Sequence, residues 1–458
     1  MVSTSTKPDV LRATAAARRR TGPCLLYDPS GTVEAPRGVD LVRWSPVQGC
    51  ASWDDALVVT RGLVGAARPP SGGYNGAAPV GADHWTERAE ALLAPVLHAA
   101  ALDGAGLATV LSWVDRRQAG APLRILDDNG ATRAGDLLAG IAATDPRELS
   151  GIWSTASGVL GAYRSQAALA TTENPDFDPG AFCDSSATLY ICATGRQQAV
   201  AAPLVVGLLT DIRAAAYARS AAAVGVERSG NGAGGRGAGH QAPVVLALDE
   251  VANIAPVPDL PAMVSEGAGQ GVLTLACLQD LSQARGRWGG AADGFLSLFG
   301  TTVVLPGIAD VRTLEALSTL AGEEEVPTRS VSAPLARPGG VGAALSRVVL
   351  GPRARRDDPA PTATTATVMR HRLPVDEVAR GRFGMALVVD ERNRMGWVQL
   401  TPWFATEPWR SAALELPTAP APDRFPAPDL RPAPDLRPAP DRRGLEPGRG
   451  GPLGPGGL

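Results

Sequence analysis

Lysine is almost missing from this sequence. Of 43 lysines and arginines only Lys7 is lysine. A phosphate-binding loop of the form Gly-x-x-x-x-Gly-Lys-Ser/Thr needs its lysine beside the β- and γ-phosphates. Lys7 sits in Thr4-Ser5-Thr6-Lys7-Pro8-Asp9, with no glycine frame before it. These 458 residues therefore cannot form an ordinary loop of that kind by themselves. Cysteine is scarce as well. Cys24, Cys50, Cys183, Cys192 and Cys277 are scattered, odd in number and without metal-ligand spacing. That excludes a disulfide framework and reads as reduced, mostly buried thiols of a cytoplasmic protein. No signal-peptide pattern opens the sequence. The longest apolar stretch, Ala199–Leu209, falls well short of the ~20 residues that span a bilayer. Charge of one sign is lacking too. A net charge of −3 excludes a uniformly basic nucleic-acid binder, so any DNA contact has to be local. Aromatics are few, and Trp85, Trp113 and Trp153 read as core anchors of a helical region.

What is present suits a folded chain of two or three domains, with 45% hydrophobic and 19% charged residues. Residues 1–68 read as α/β. Ala13–Arg20 is helix-like, and Cys24–Tyr27 is a short strand before the turn Asp28-Pro29-Ser30-Gly31. Residues 69–170 begin with a Gly/Pro-rich connector and continue as an all-helical insertion. In that insertion Ala89, Leu92, Leu93, Val96 and Leu97 recur at helical spacing. Residues 171–416 return to α/β. Thr188–Ala193 is a strand and Gln197–Ala218 a long helix. Val244–Leu248, Val272–Leu278 and Thr302–Leu305 are apolar runs separated by helix-like segments near Leu260–Ser265 and Asp310–Leu320. Such alternation implies a mostly parallel sheet covered on both faces. Residues 326–380 carry no clear pattern. Gly384–Val389 and Met395–Leu400 read as a hairpin. Residues 417–458 repeat Pro-Ala-Pro-Asp-Leu-Arg and read as a disordered Pro-rich tail.

Val244–Leu248 followed by Asp249-Glu250 is the strongest chemical signal. A buried strand ending in two carboxylates matches the second (Walker B) motif of nucleotide-hydrolysing sheets. In that role Asp249 holds a magnesium ion through its water shell and Glu250 polarises the attacking water. A strand that merely ends in solvated carboxylates has the same pattern. Gln279 follows the next apolar strand, where a polar sensor can reach a γ-phosphate, and it also fits a capping residue. Arg285 and Arg287 lie beyond it. Either could act as an arginine finger toward a neighbouring subunit's nucleotide, or sit on a solvated helix face. Asp390-Glu391 copies the carboxylate pattern but runs straight into the hairpin, so it reads as a turn. Gly267–Gly271 precedes a strand rather than following one, so it reads as a helix-end turn. The Gly-rich stretch 228–240 reads as a loop without lysine. His84 and His98, and the aspartates 176, 178 and 184, lack a metal-site pattern.

The run Leu246-Ala-Leu-Asp-Glu-Val-Ala-Asn-Ile-Ala-Pro-Val-Pro-Asp-Leu260 resembles TraG/TraD-type coupling proteins of conjugation and type IV secretion. The likeness continues through Ser265–Gly271, Leu278–Gln283, Thr302–Asp310 and Thr313–Gly322. Upstream it includes Ser5–Asp9, Asp28-Pro29 and Trp44-Ser-Pro46, and it covers about residues 2–410. The resemblance implies a RecA-like α/β motor fold with an all-α insertion. It implies ATP and Mg2+ as cofactors, with Asp249 on the metal, Glu250 on the water, Gln279 as sensor and Arg285 as finger. It implies single-stranded DNA, its relaxase and a secretion channel as partners, a homo-hexamer, and a place on the cytoplasmic face of the membrane. Family members carry membrane helices and the phosphate-binding segment before the part that begins here at Val2. The expectation for this sequence is little or no hydrolysis on its own. Two other readings remain: a non-catalytic subunit that recruits DNA-transfer substrates, and a motor acting on another polymer.

Overall fold

The structure, a computed structural model, describes residues 1–67, 82–193, 198–229, 242–332 and 362–414. The chain opens with β1 (Val2–Ser5), α1 (Asp9–Arg19), β2 (Cys24–Tyr27), β3 (Val39–Leu41) and α2 (Trp53–Ala67). Helices then follow one another: α3 (Ala82–Leu102), α4 (Leu107–Asp115), α5 (Gly120–Asp128), α6 (Thr132–Ala142), α7 (Pro146–Val159), α8 (Gln166–Ala170) and α9 (Pro179–Cys183). Strands return with β4 (Thr188–Cys192), and the long α10 (Gln198–Ser229) leads to β5 (Val244–Leu248). Next come α11 (Val251–Ile254), α12 (Leu260–Gly267), β6 (Val272–Ala276), α13 (Leu281–Trp288), α14 (Phe295–Leu298), β7 (Thr302–Val304) and α15 (Val311–Leu320). The last elements are β8 (Glu323–Ser332), β9 (Thr362–His371), α16 (Val375–Arg380), β10 (Met385–Val389), β11 (Met395–Gln399) and α17 (Trp409–Leu414).

Six strands form one sheet in the order β3-β2-β4-β1-β5-β6, and every pairing in it is parallel. Strand periodicity divides its side chains between two cores. Leu189 and Ile191 of β4 face one core with Tyr27, Trp44 and the helical residues Leu63, Leu97 and Leu208. Tyr190 and Cys192 face the other, with Leu11 and Ala15 of α1. The fold is thus the expected α/β sheet with helices on both faces. β1 is central although its residues Ser3, Thr4 and Ser5 are polar, and all three are buried.

The helical stretch packs its apolar stripe inward: Leu92, Leu93, Val96 and Leu97 of α3 are fully buried. Trp113 and Trp153 are buried as expected. Trp85 is not, since 37% of it remains exposed. Its indole lies against Gly151, where a Cβ would come within 2.4 Å of the ring. α10 contains a segment, Ala201–Ala223, long and apolar enough to cross a membrane. Two-thirds of that window is buried inside the protein, and α10 packs on α2 and α9.

Two expectations fail. β7 does not continue the parallel sheet. It pairs antiparallel with β10 in a separate three-stranded sheet, β11-β10-β7, which has its own core around Leu314, Leu317 and Leu387. Nor is β6 covered on both faces: Leu273 and Leu275 are 44% and 59% exposed. Apolar content marks a strand but does not name its neighbour. Residues 326–380, unpatterned in sequence, contribute to the antiparallel ribbon β8–β9 and to α16. The β10–β11 hairpin forms as expected, and Asp390 turns it by accepting from the backbone N–H groups of Arg392 and Arg394. Gly271 closes the turn before β6 at a φ of 77°, a value glycine adopts freely. The expected Gly-rich loop lies largely, and the Pro-rich tail wholly, outside the described residues.

Four cysteines are buried, Cys277 is exposed, and all five are free thiols. His98 is a core histidine whose Nδ1 lies 2.8 Å from the Cys50 carbonyl. Among the described residues no group of three or more His, Cys, Asp or Glu side chains is placed to hold a metal ion.

Candidate functional site

The carboxyl ends of β1, β5 and β6 lie side by side, because β5 pairs in parallel with β1 on one side and β6 on the other. Register sets the levels. Thr4 is opposite Leu248, and Leu248 is opposite Ala276. Asp249 therefore leaves the sheet level with Ser5 and Cys277, and Gln279 follows two residues later on the same rim. In open parallel sheets this rim is where ligands bind.

Local hydrogen bonds fix the carboxylates. Cys277 donates its N–H to the Leu248 carbonyl at 2.9 Å, and Val251 donates to the Cys277 carbonyl at 3.1 Å. This tie locks the end of β5 to the end of β6. Thr4 Oγ1 donates to the Asp249 carbonyl at 3.3 Å. Glu250 then turns the chain with a φ of 45° and ψ of 48°, the left-handed region that non-glycine residues avoid. Glu250 is the turn residue between strand and helix, and its Oε2 accepts from Asn253 Nδ2 at 3.0 Å. Such strained positions collect at functional sites.

The rim is negatively charged. Burial first, then the charge of Glu250, push the Asp249 carboxyl above its usual range; Asp9 adds to the push, and hydrogen bonds from the Glu250 backbone and the Ser5 hydroxyl oppose it. A carboxylate held among two other anions and a hydroxyl suits a hard divalent cation, which prefers oxygen ligands and would relieve the crowding. Asp249 and Ser5 are thus a fitting donor set for magnesium. The same crowding does not suit a bare triphosphate, whose charge needs donors and cations that these acidic groups do not supply.

Gln279 is exposed, and its backbone N–H is taken by Gln283 Oε1 at 3.0 Å. Asp280 caps α13 through the N–H groups of Ser282 and Gln283. Arg285 sits one turn into α13, away from free solvent, in an ion pair with Asp310 just beyond β7. Arg287 donates to the Ala66 carbonyl at 2.8 Å and so faces the helical side. Asp249, Glu250 and Gln279 share a rim, then, whereas both arginines are engaged within the chain. Sequence reasoning missed the hydroxyls of Thr4 and Ser5. Their signal was a polar run in a strand that the topology places at the centre of the sheet.

Residues 243–349, which begin at β5, match the family described as "TraM recognition site of TraD and TraG". The fold matches that of the bacterial conjugative coupling protein TrwBdeltaN70, in its unbound monoclinic form, with a TM-score of 0.54. That match has 17% identity and covers 87% of this chain and 84% of that one. The chain thus resembles TraD and TraG over that segment and shares the fold of a conjugative coupling protein. Two further structures of plasmid coupling protein TrwB agree, one in complex with the non-hydrolysable ATP analogue ADPNP and one in complex with ADP and Mg2+. Each has 16% identity over 87% of this chain and 84% of the other, with a TM-score of 0.54. A comparison with curated protein sequences finds no match. The chain shares the fold of these coupling-protein structures, and its parallel sheet presents Asp249 and Glu250 beside the end of β6.

Proposed function

We propose that this chain is the motor portion of a conjugative coupling ATPase, which moves single-stranded DNA with its relaxase toward a type IV secretion channel. The observation that carries the reading is the gathering of Asp249, Glu250 and Gln279 at one rim of adjacent parallel strands in a coupling-protein fold. Asp249, helped by Ser5, would hold magnesium. Bound Mg2+–ATP would supply the scissile phosphoanhydride. Glu250 is oriented by Asn253 to accept hydrogen bonding from an attacking water, and Gln279 stands free to sense the terminal phosphate. Arg285 would change partner, from Asp310 in the single chain to a nucleotide held by an adjoining subunit of a homo-hexamer. The chain would work on the cytoplasmic face of the membrane, and its 243–349 segment would meet a DNA-processing partner on that side.

A magnesium-dependent ATPase assay tests the proposal. Residues 1–458 alone should show little or no turnover, because Lys7 stands outside any Gly-x-x-x-x-Gly-Lys-Ser/Thr frame. Joined to a segment that carries such a loop, the chain should hydrolyse ATP. Glu250→Gln in that joined protein should abolish hydrolysis and leave nucleotide binding intact. Unchanged turnover in the variant removes Glu250 from its role, and robust turnover by residues 1–458 alone overturns the dependence on a supplied loop.

A further inference from the structure

An open cleft of about 560 Å3 lies between α2, α10 and the start of α9. Its walls are largely apolar, with Val58, Val59, Phe177 and Ala214 among the lining residues. Three carboxylates also line it: Asp55, Asp178 and Asp211. Asp55 and Asp178 are exposed at its edge, whereas Asp211 is only 9% exposed and reaches the cleft from its floor. Among the described residues no lysine, arginine or histidine lines the cleft. Apolar walls around a few convergent polar groups are what small-ligand sites have in common.

The two outer carboxylates already have partners. Asp55 accepts from the Ser52 hydroxyl, and Asp178 caps α9 by accepting from the N–H groups of Gly180 and Ala181. Asp211 is only half satisfied. Its Oδ2 accepts the Trp44 indole N–H, while its Oδ1 has no hydrogen-bond partner among the described residues. Gly49 keeps that oxygen open, since a Cβ there would come within 2.5 Å of Oδ1. Tyr163, fully buried and within range of the Asp211 charge, also has a hydroxyl without a partner. Buried polar atoms are ordinarily hydrogen-bonded, so an unmet carboxylate oxygen facing a cleft asks for a donor.

We propose that this cleft binds a small organic cation, a guanidinium or alkylammonium group on an apolar stem, whose N–H donors meet Asp211 Oδ1 while the stem lies along Val58, Val59 and Phe177. Three carboxylates with no facing cation repel an anion. A neutral donor would fill the hydrogen bond and leave the buried charge uncompensated. A bare metal ion is a poor match, because these carboxylates are not placed together to surround one. A guanidinium is weakly hydrated and presents several donors at once, so it gives up little on entering an apolar cleft. The cation can be a free amine or an arginine side chain of another protein, since both offer the same head and stem. None of the lining residues belongs to the carboxylate rim of β5 and β6, so this binding does not depend on nucleotide turnover.

Isothermal titration calorimetry with agmatine tests the proposal, at pH 8 where Asp211 starts mostly ionised. Agmatine should bind residues 1–458 with a Kd of about 1 mM or below. Butylurea, a neutral molecule of similar shape, should not bind in that range. Asp211→Asn keeps an oxygen for the Trp44 indole, so it should fold, and it should weaken agmatine by about thirtyfold or more. Asp55→Asn changes an exposed charge and should weaken it only about threefold. In thermal melts agmatine should raise the Tm of the wild type and leave that of Asp211→Asn unmoved, which a merely structural role for Asp211 would not produce. N-acetyl-arginine methylamide separates the sources. Binding as tight as that of agmatine assigns the cleft to a partner's arginine, and weak binding beside tight agmatine assigns it to a free amine. Absence of binding by both cations overturns the proposal. So does equal binding of butylurea, or wild-type affinity in folded Asp211→Asn. Glu250→Gln should bind agmatine like the wild type, so failure here and failure of the ATPase reading give separate results.

Discussion

Asp211 illustrates how one buried group can set a pH dependence that no motif announces. It lies on α10, is 9% exposed, and accepts the indole N–H of Trp44 through Oδ2 at 2.8 Å. Burial pushes its carboxyl up to about 7, the Trp44 hydrogen bond opposes the shift, and Asp55 adds to it. In the unfolded chain an aspartate titrates near 4. Between about 4 and 7 the folded protein keeps a proton that the unfolded chain has released, so stability falls as pH rises through that window. The loss approaches about 4 kcal/mol and is complete above the folded value. Asp211→Asn keeps an oxygen for Trp44 and removes the ionisation. Thermal melts should show the variant more stable than wild type at pH 8 and nearly equal at pH 4; equal stability at pH 8 would discredit the assignment. Nothing local in the sequence flagged this residue, because Asp211 sits within an apolar helix where a polar residue reads as the solvent face. Asp249 and Glu250, by contrast, were legible, since an apolar run that stops at two carboxylates needs no tertiary information. The contribution of Ser5 was not, because a strand of hydroxyls looks like an edge until the topology places it in the centre.

At the scale of elements, type was legible and partnership was not. β4, β5, β6, the hairpin β10–β11 and the helices of residues 82–170 follow from periodicity alone. The order of strands does not, because side-chain pattern records burial rather than neighbours. β7 shows the consequence: its apolar run is as strand-like as that of β5, yet it pairs with β10, which is distant in sequence. β6 shows another, as an end strand of its sheet with Leu273 and Leu275 on an uncovered face. An open, apolar end strand invites pairing between molecules. Leu275→Lys places a charge there and removes no buried contact, so stability should shift by less than about 0.5 kcal/mol. Light scattering on heating should nevertheless show a later onset of aggregation than in wild type. If the onset does not move while the melting temperature is unchanged, association starts elsewhere.

For the molecule as a whole, the question is which parts unfold together. The largest apolar cluster runs without a break from α3 and α7 through α2 and α10 to β4 and β5. The helical residues and the parallel sheet therefore share one core, even though the sequence reads them as separate regions. A separate cluster, away from both faces of the parallel sheet, lies around Val304, Leu314, Leu317, Val378 and Leu387 and belongs to β7, β10, α15 and α16. Cooperativity follows shared burial, because a contact can transmit unfolding only to what it touches. Leu97 is fully buried in the first cluster and Leu317 is 1% exposed in the second. Truncating either to alanine removes a buried isobutyl group and should cost about 2–5 kcal/mol. The two losses should appear in different places. Under native-state hydrogen exchange, Leu97→Ala should speed exchange in α3 and equally in β4, although β4 carries no substitution. Leu317→Ala should speed exchange in β10 and leave β4 protected. The ion pair between Arg285 and Asp310 is one contact between the two clusters, and α14 is another, with Phe295 in the first and Leu296 packed against the second. Equal loss of protection in β4 and β10 on Leu317→Ala would mean that the whole chain folds as one unit and that the division between the clusters has no energetic content.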